Sequence, residues 1–363
     1  MKVVLVVGTR PNFMKVAPIL EAMKAHPEMK PCLVHTGQHY DYEMSQVFFE
    51  DLALPQPDIY LGVGSGSHAK QTADIMVAFE PVVNEHNPDW IVVVGDVNST
   101  AACALVGAKL NVPVAHVEAG IRSFDRSMPE EINRLVTDAV STYLFPPSQH
   151  GYDNLIREGK SHEQVFLVGN TMIDTLRRWE PMARKRQKHV QLGLDSDYAL
   201  MTLHRPSNVD CCECLAGILE AVDYVQQRMP VVFPVHPRTA QRLKDFGLTQ
   251  CLMNMPNLFQ EKPMGYLDFL SLMMHARLVL SDSGGIQEET AVLGVPCLTL
   301  RDNTERPETL TLGTSRLVGN CPNRIRQAVD DVLRVPSPQP RYPEIWDGKA
   351  AVRIVERLAS NDN

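Results

Sequence analysis

The chain has 363 residues, of which 44% are hydrophobic and 21% charged, an ordinary globular composition long enough for two cores rather than one. A net charge of −8 without long like-charge blocks excludes a general nucleic-acid binder, and no apolar run approaches membrane-spanning length. An anionic ligand must therefore be held by locally placed cations and helix starts.

Met1-Lys2 leads straight into a strand-like run, which leaves no room for the apolar core of a signal peptide, so the expected compartment is the cytoplasm. Eight scattered cysteines suit reduced thiols. The cluster Cys211-Cys212-Glu213-Cys214 lacks a second pair at zinc-site spacing and reads as a helix start, and no metal is expected.

Val3 to Val7 is a short apolar run of the kind buried on both faces of a parallel sheet. Gly8-Thr9-Arg10-Pro11 follows, with Pro11 placed to open a helix that carries Lys15. Arg10 and Lys15 then sit at the carboxyl end of the first strand, where open α/β sheets bind ligands. Cys32 to Thr36 is the next strand, followed by the polar turn Gly37-Gln38-His39-Tyr40-Asp41. Pro55 to Ser67 reads as a surface loop and Ala69 to Asn84 as a helix. Trp90 to Val94 is a strand ending in Gly95-Asp96, and Val112 to His116 one ending near Glu118. Asp96 fits a helix start as well as a functional carboxylate. Ser127-Met128-Pro129-Glu130 fits a capping box, a role that Glu130 can combine with chemistry. Tyr143 to Phe145 and Val165 to Val168 complete six strand signals alternating with helices, which implies a parallel sheet with right-handed crossovers.

A polar segment from Gly169-Asn170 through Trp179 to His189 joins this half to a second. Its strands are expected at Tyr198 to Thr202, Val231 to Pro234, Cys251 to Met255, Leu278 to Ser281, Pro296 to Leu300 and Arg316 to Val318. His204-Arg205, His236-Pro237-Arg238 and Arg301 to Pro307 stand at strand ends. So does Ser281-Asp282-Ser283-Gly284-Gly285-Ile286-Gln287-Glu288-Glu289, where a glycine pair at a helix start brings an oxyanion to unpaired N–H groups. Glu289, one turn on, suits a vicinal diol; the same glycines also make a plain tight turn. Asp347 to Ala359 is a final helix. These signals divide the chain into residues 1–170, 171–345 and a terminal helix 346–363, an α/β fold with the site in the cleft between two halves.

Three stretches are specific: His116-Val117-Glu118-Ala119-Gly120, Pro129-Glu130-Glu131-Ile132-Asn133-Arg134, and Ser281 to Glu289. With Gly8 to Pro11 and Thr304-Glu305-Arg306-Pro307-Glu308 they make the chain resemble, over nearly its whole length, the UDP-N-acetylglucosamine 2-epimerase family in its non-hydrolysing form. That resemblance implies the GT-B architecture of two Rossmann-like parallel-sheet domains facing across a cleft. It implies that Ser283, Gly284 and Gly285 hold the diphosphate with Arg205 and Arg306, that Glu289 holds the ribose, and that Phe269 meets uracil. Arg10 reaches the nucleotide, and Lys15, Asp96, Glu118, Glu130 and His204 form the catalytic cluster.

The implied reaction inverts C2 of a UDP-sugar by elimination and re-addition of UDP, without a cofactor, in a homodimer. Gln38, His39 and Gln71 match the pattern of relatives activated by their own substrate, although Lys70 replaces an arginine there. Pro206-Ser207-Asn208 also departs from relatives that carry a glutamate after His-Arg. A 2-epimerase of UDP-2,3-diacetamido-2,3-dideoxyglucuronate, a hydrolysing 2-epimerase, a GT-B glycosyltransferase and a nucleotide-sugar sensor are the alternatives.

Overall fold

In a computed structural model the described residues are 1–38 and 56–360, and they form two compact units, Met1–Arg178 with Glu344–Asn363, and Trp179–Pro343. Each unit is built on a six-stranded parallel sheet. The first contains β1 (Lys2–Val7), β2 (Lys30–His35), β3 (Ile59–Tyr60), β4 (Trp90–Val94), β5 (Val114–Val117) and β6 (Tyr143–Phe145) in the order β3-β2-β1-β4-β5-β6. The second contains β7 (Ala199–Thr202), β8 (Val231–Pro234), β9 (Leu258–Glu261), β10 (Leu278–Ser281), β11 (Cys297–Thr299) and β12 (Ser315–Leu317) in the order β12-β11-β10-β7-β8-β9.

Counted within each unit, the two orders are the same, 3-2-1-4-5-6, and the strand order reverses between the first and fourth strands. Beyond the carboxyl ends of those two strands an open α/β sheet leaves a crevice, because the connecting helices diverge to opposite faces. The unbroken apolar runs follow from that layering: β1 and β4 are buried along nearly their whole length because helices cover both faces. On one face of the first sheet Val4, Val6, Ile91 and Val93 pack with Ile75 and Phe79 of the helix His68–His86. In the second, Met201, Val231 and Leu280 pack with Ile218 and Val222 of the helix Cys212–Gln226.

The final helix, Ala350–Ala359, belongs to the first unit. Buried Trp346 donates from Nε1 to Pro147 O at 2.8 Å, and the Asp174 carboxylate accepts from the Ala350 and Ala351 N–H groups at 3.1 and 2.7 Å.

Three expectations about strands are corrected. Val165 to Val168 makes an isolated bridge to Leu144 rather than a strand, and Ile59–Tyr60, inside the expected loop, is the strand instead. Cys251 to Met255 falls largely in the helix Thr249–Met253, and the chain pairs a few residues later as β9. Among the described residues no helix is long and apolar enough to cross a membrane.

Candidate active site

The first unit gathers its ionisable groups where β1, β4 and β5 end. Val94 of β4 lies opposite Val117 of β5, so Gly95-Asp96 and Glu118 leave adjacent strands side by side. Glu118 has φ of 72°, a left-handed conformation that a side-chain-bearing residue adopts at a cost of roughly 1–2 kcal/mol. Its carboxylate pairs with Lys15 Nζ from the helix Arg10–Met23, and the two side chains are only 10% and 11% exposed. Gly95 makes room for that pair: a Cβ there would stand 3.0 Å from Lys15 Nζ and 3.4 Å from Glu118 Oε2. Asn12 fastens the turn beside it, accepting from the N–H groups of Gly8 and Thr9 at 3.1 and 3.0 Å and donating to Val94 O at 3.2 Å. Arg10, half-buried, begins the same helix.

The helix Pro129–Val140 supplies the other side of this cluster. Arg134 donates to Asp96 Oδ2 at 2.5 Å, and Asn133 donates to the Asp96 carbonyl at 2.9 Å. Glu130 is exposed in the first turn. The expected capping box does not form: Met128 is the N-cap, and Ser127 instead donates from Oγ to Asp125 at 2.6 Å. The neighbour Glu131 is the structural carboxylate, buried and accepting from Ser123 N, Phe124 N and Arg134 Nη1 at 2.9, 2.9 and 2.7 Å.

Gln38 and Gln71 are buried. Gln71 Nε2 donates to Gln38 O at 3.2 Å, and its Oε1 accepts from Asn98 Nδ2 at 2.8 Å. Asn98 Oδ1 in turn accepts from Asn133 at 3.1 Å, so these residues are connected by hydrogen bonds to the Asp96 main chain. His39 lies outside the described residues.

In the second unit the ends of β7 and β10 are tied by Asp282. Fully buried, it accepts from the N–H groups of His204 and Arg205 at 3.0 and 2.8 Å and faces His204 Nδ1 at 2.8 Å. Burial works to raise its pKa, but His204 and these N–H groups hold the carboxyl below its ordinary value. With Nδ1 turned to Asp282, the half-exposed His204 ring presents Nε2 on its other side.

Ser283 precedes the helix Gly284–Leu293. A Cβ at Gly284 would meet Arg306 Nη1 at 2.7 Å and Glu305 Oε1 at 2.8 Å, whereas Gly285 opens onto space with nothing within 4 Å. Glycine is thus needed at the first position for packing, and at the second it leaves the helix start accessible to a ligand. Glu305 gathers the arginines: Arg306 Nη1 and Arg301 Nη2 lie 2.7 and 2.6 Å from its oxygens and Arg205 Nη2 3.5 Å away. Burial opposes its ionisation, but Arg306 and Arg301 together hold its carboxyl far below the ordinary range. Glu289, also buried, accepts from Tyr266 Oη at 2.6 Å; burial pushes its pKa up to about 7 against the pull of that hydroxyl. Half-buried Phe269 stands three residues after Tyr266 on the helix Tyr266–His275, on the same face.

The family model described as UDP-N-acetylglucosamine 2-epimerase matches residues 21–359. The chain belongs to that family. The UDP-N-acetylglucosamine 2-epimerase of Methanocaldococcus jannaschii is 44% identical over 364 residues, 99% of each sequence. The crystal structure of that organism's UDP-GlcNAc 2-epimerase in complex with UDP-GlcNAc and UDP matches this fold with a TM-score of 0.91 at 42% identity over 99% of both chains. A Pseudomonas aeruginosa UDP-2,3-diacetamido-2,3-dideoxy-D-glucuronate 2-epimerase is 38% identical over 362 residues, again 99% of each.

Within this epimerase-family chain, several partners had no signal of their own in the sequence. Arg134 and Asp282 lay inside motif stretches without an assigned role, while Tyr266 was one aromatic at a helix start among others. The cysteine cluster is a helix start: Cys211 Sγ accepts from Cys214 N at 3.2 Å. Among the described residues no group of three His, Cys, Asp or Glu is placed to hold a metal ion.

Proposed function

We propose that the protein is an enzyme that interconverts UDP-GlcNAc and UDP-ManNAc by inverting C2, with UDP leaving and returning on the enzyme. The observation that carries this reading is the buried Lys15–Glu118 pair with Asp96 just past the end of the adjacent strand, gripped by Arg134 of the helix whose first turn holds Glu130, a set of carboxylates suited to moving a proton. The relatives named above support the substrate.

The C2 hydrogen of an N-acetylamino sugar is not acidified by an adjacent carbonyl, so its removal must be coupled to departure of the diphosphate from C1. Loss of the C2 proton and of UDP leaves a 2-acetamidoglucal; protonation on the opposite face and return of UDP to C1 restore every atom with C2 inverted. Asp96, Glu118 and Glu130 are the acid/base candidates, with Lys15 compensating charge at Glu118. Ser283, Gly284 and Gly285 at their helix start, with Arg205 and Arg306, take the growing charge on the diphosphate. His204 Nε2, its ring oriented by Asp282, hydrogen-bonds a phosphate oxygen; Glu289 takes the ribose diol, Phe269 the uracil, and Arg10 a further nucleotide contact. Gln38, His39 and Gln71 are the candidates for substrate activation, with Lys70 in place of the arginine that activated relatives carry. The reading includes a homodimer in the cytoplasm, and a monomeric mass by light scattering would remove the first of these.

Proton NMR of UDP-GlcNAc incubated with the protein in deuterated water tests the reaction. UDP-ManNAc carrying deuterium at C2 is the expected product. Free ManNAc with UDP would move the protein to hydrolysis. Unchanged substrate makes the diacetamido-glucuronate the next sugar, because the Pseudomonas relative is also similar end to end; failure with both ends the proposal.

A further inference from the structure

We infer that Asp138 is a positioning residue, the buried carboxylate that holds the Gly120 backbone on one side of Glu118 and the His116 side chain on the other and, through His116, the turn that carries Asp96. The inference rests on the function proposed above and concerns how its proton-transfer groups are held.

Glu118 occupies a left-handed conformation that its own side chain disfavours, so surrounding bonds must impose it. The Glu118 and Ala119 N–H groups both donate to Phe145 O, at 3.1 and 3.3 Å. Two residues to either side, a single carboxylate takes over. Asp138 Oδ1 lies 2.6 Å from His116 Nδ1, and Oδ2 accepts from Gly120 N at 3.0 Å. Arg122 Nη2 adds an ion pair at 2.6 Å to the same oxygen, and Glu158 in turn binds Arg122. His116, Asp138 and Arg122 are essentially without solvent exposure. Burial would raise the Asp138 pKa, but His116 and Arg122 hold it below its ordinary value, so the clamp stays ionised.

The other ring nitrogen of His116 reaches Gly95 O at 2.8 Å. Gly95 is the residue whose Cα faces the Lys15–Glu118 pair, and it directly precedes Asp96. One carboxylate is therefore linked to residues 116 and 120 around Glu118 and, one imidazole further, to the turn of Asp96. Asp138 also stands one helical turn after Arg134, which grips the Asp96 carboxylate at 2.5 Å. A single face of the helix Pro129–Val140 thus bears on two of the three acid/base candidates, Asp96 and Glu118. A buried ion network serving stability alone would require none of this convergence on residues 95 and 118.

The test compares wild type with Asp138→Asn, which preserves shape but replaces one acceptor by a donor facing Gly120 N–H, His116 or Arg122. Sites are counted by UDP-binding stoichiometry, so kcat refers to folded protein. We expect kcat for C2 deuterium exchange to fall about a hundredfold, the scale of a small misplacement of reacting groups, with KM for UDP-GlcNAc changed less than about threefold. Glu158→Gln, which alters only the outer partner of Arg122, should leave kcat unchanged. An Asp138→Asn kcat within about twofold of wild type, or an equal fall in Glu158→Gln, overturns the inference. If Asp138→Asn does not fold, His116→Gln, which weakens the link to Gly95, decides by the same criterion. Wild-type protein that exchanges no C2 hydrogen would instead remove the proposed reaction, a result distinct from a fully active Asp138→Asn.

Discussion

Glu289 is ionised only with help. Burial pushes its pKa up to about 7, and the Tyr266 hydroxyl, donating at 2.6 Å, is the group that opposes this. A ribose diol donates two hydrogen bonds, so it favours the ionised carboxylate, and affinity for UDP-GlcNAc should fall as pH drops through about 7. Tyr266→Phe removes the supporting donor. Its Glu289 should titrate at higher pH, and at pH near 7.5 its affinity should be about tenfold weaker, the value of one hydrogen bond to a charged group. Calorimetric titrations of both proteins across neutral pH check this, and superimposable pH profiles would sink it. The sign for stability is the reverse of the usual carboxylate case. Because the folded-state value lies above the ordinary 4.5, the folded protein holds the extra proton between 4.5 and about 7, and this group's contribution to stability is lost as pH rises through that window. Asp96, Glu118 and His204 were legible as candidates residue by residue, since they stand at strand ends, where a parallel sheet exposes side chains to ligand. Their supports were not. Asp138 and Tyr266 are single polar residues on helices, and only the fold shows that their partners are buried beside them.

At the scale of elements, the terminal helix Ala350–Ala359 has Ala351, Ile354, Val355 and Leu358 buried, an i, i+3, i+4, i+7 stripe facing the first unit. Its start has no cap of its own; Asp174, from the helix Thr171–Arg186, reaches across to accept from Ala350 N and Ala351 N. Burial raises the Asp174 pKa, against the pull of those N–H groups. Asp174→Ala should therefore destabilise the protein by about 1–2 kcal/mol, the cost of a lost cap, with Asp174→Asn losing less because it keeps an acceptor. Urea unfolding measures both, and an Asp174→Ala protein as stable as wild type would show that the helix is held by its apolar stripe alone. The strands follow the same logic of burial. Central strands such as β1, β4, β7 and β10 were legible as apolar runs because both faces are covered. The two that were missed, Ile59–Tyr60 and Leu258–Glu261, are edge strands, half-exposed and mixed in polarity. The apolar run from Cys251 was misread because a few consecutive hydrophobic residues do not distinguish a strand from one turn of helix, here with only Leu252 buried. Likewise Pro129 at the first helical position makes Met128 the N-cap, which moves the helix start by one residue and leaves Ser127 outside the cap.

At the scale of the molecule, a chain of net charge −8 carries a local concentration of Arg205, Arg301 and Arg306 beside a helix start in its second unit. Glu305 compensates these cations internally, so they are held in place before any ligand arrives, and under the proposed function the diphosphate would meet an ordered site. The first N–H groups of the helix Gly284–Leu293 have no acceptor within the helix. If the diphosphate takes them, UDP should slow hydrogen exchange at Gly284, Gly285 and Ile286 by about a hundredfold at a hundred times Kd. The effect should extend to Thr304 to Thr309, which bond to Gln287 on the same helix through Thr304 Oγ1 at 2.8 Å and Thr309 Oγ1 at 3.4 Å. The helix Pro129–Val140, assigned to the sugar rather than the nucleotide, should exchange as before. Gly285→Ala separates binding from folding: its Cβ would meet nothing within 4 Å of protein, so the melting temperature should hold while the UDP-dependent protection disappears. Protection that spares residues 283–293, or that survives Gly285→Ala unchanged, would show that the nucleotide is held elsewhere.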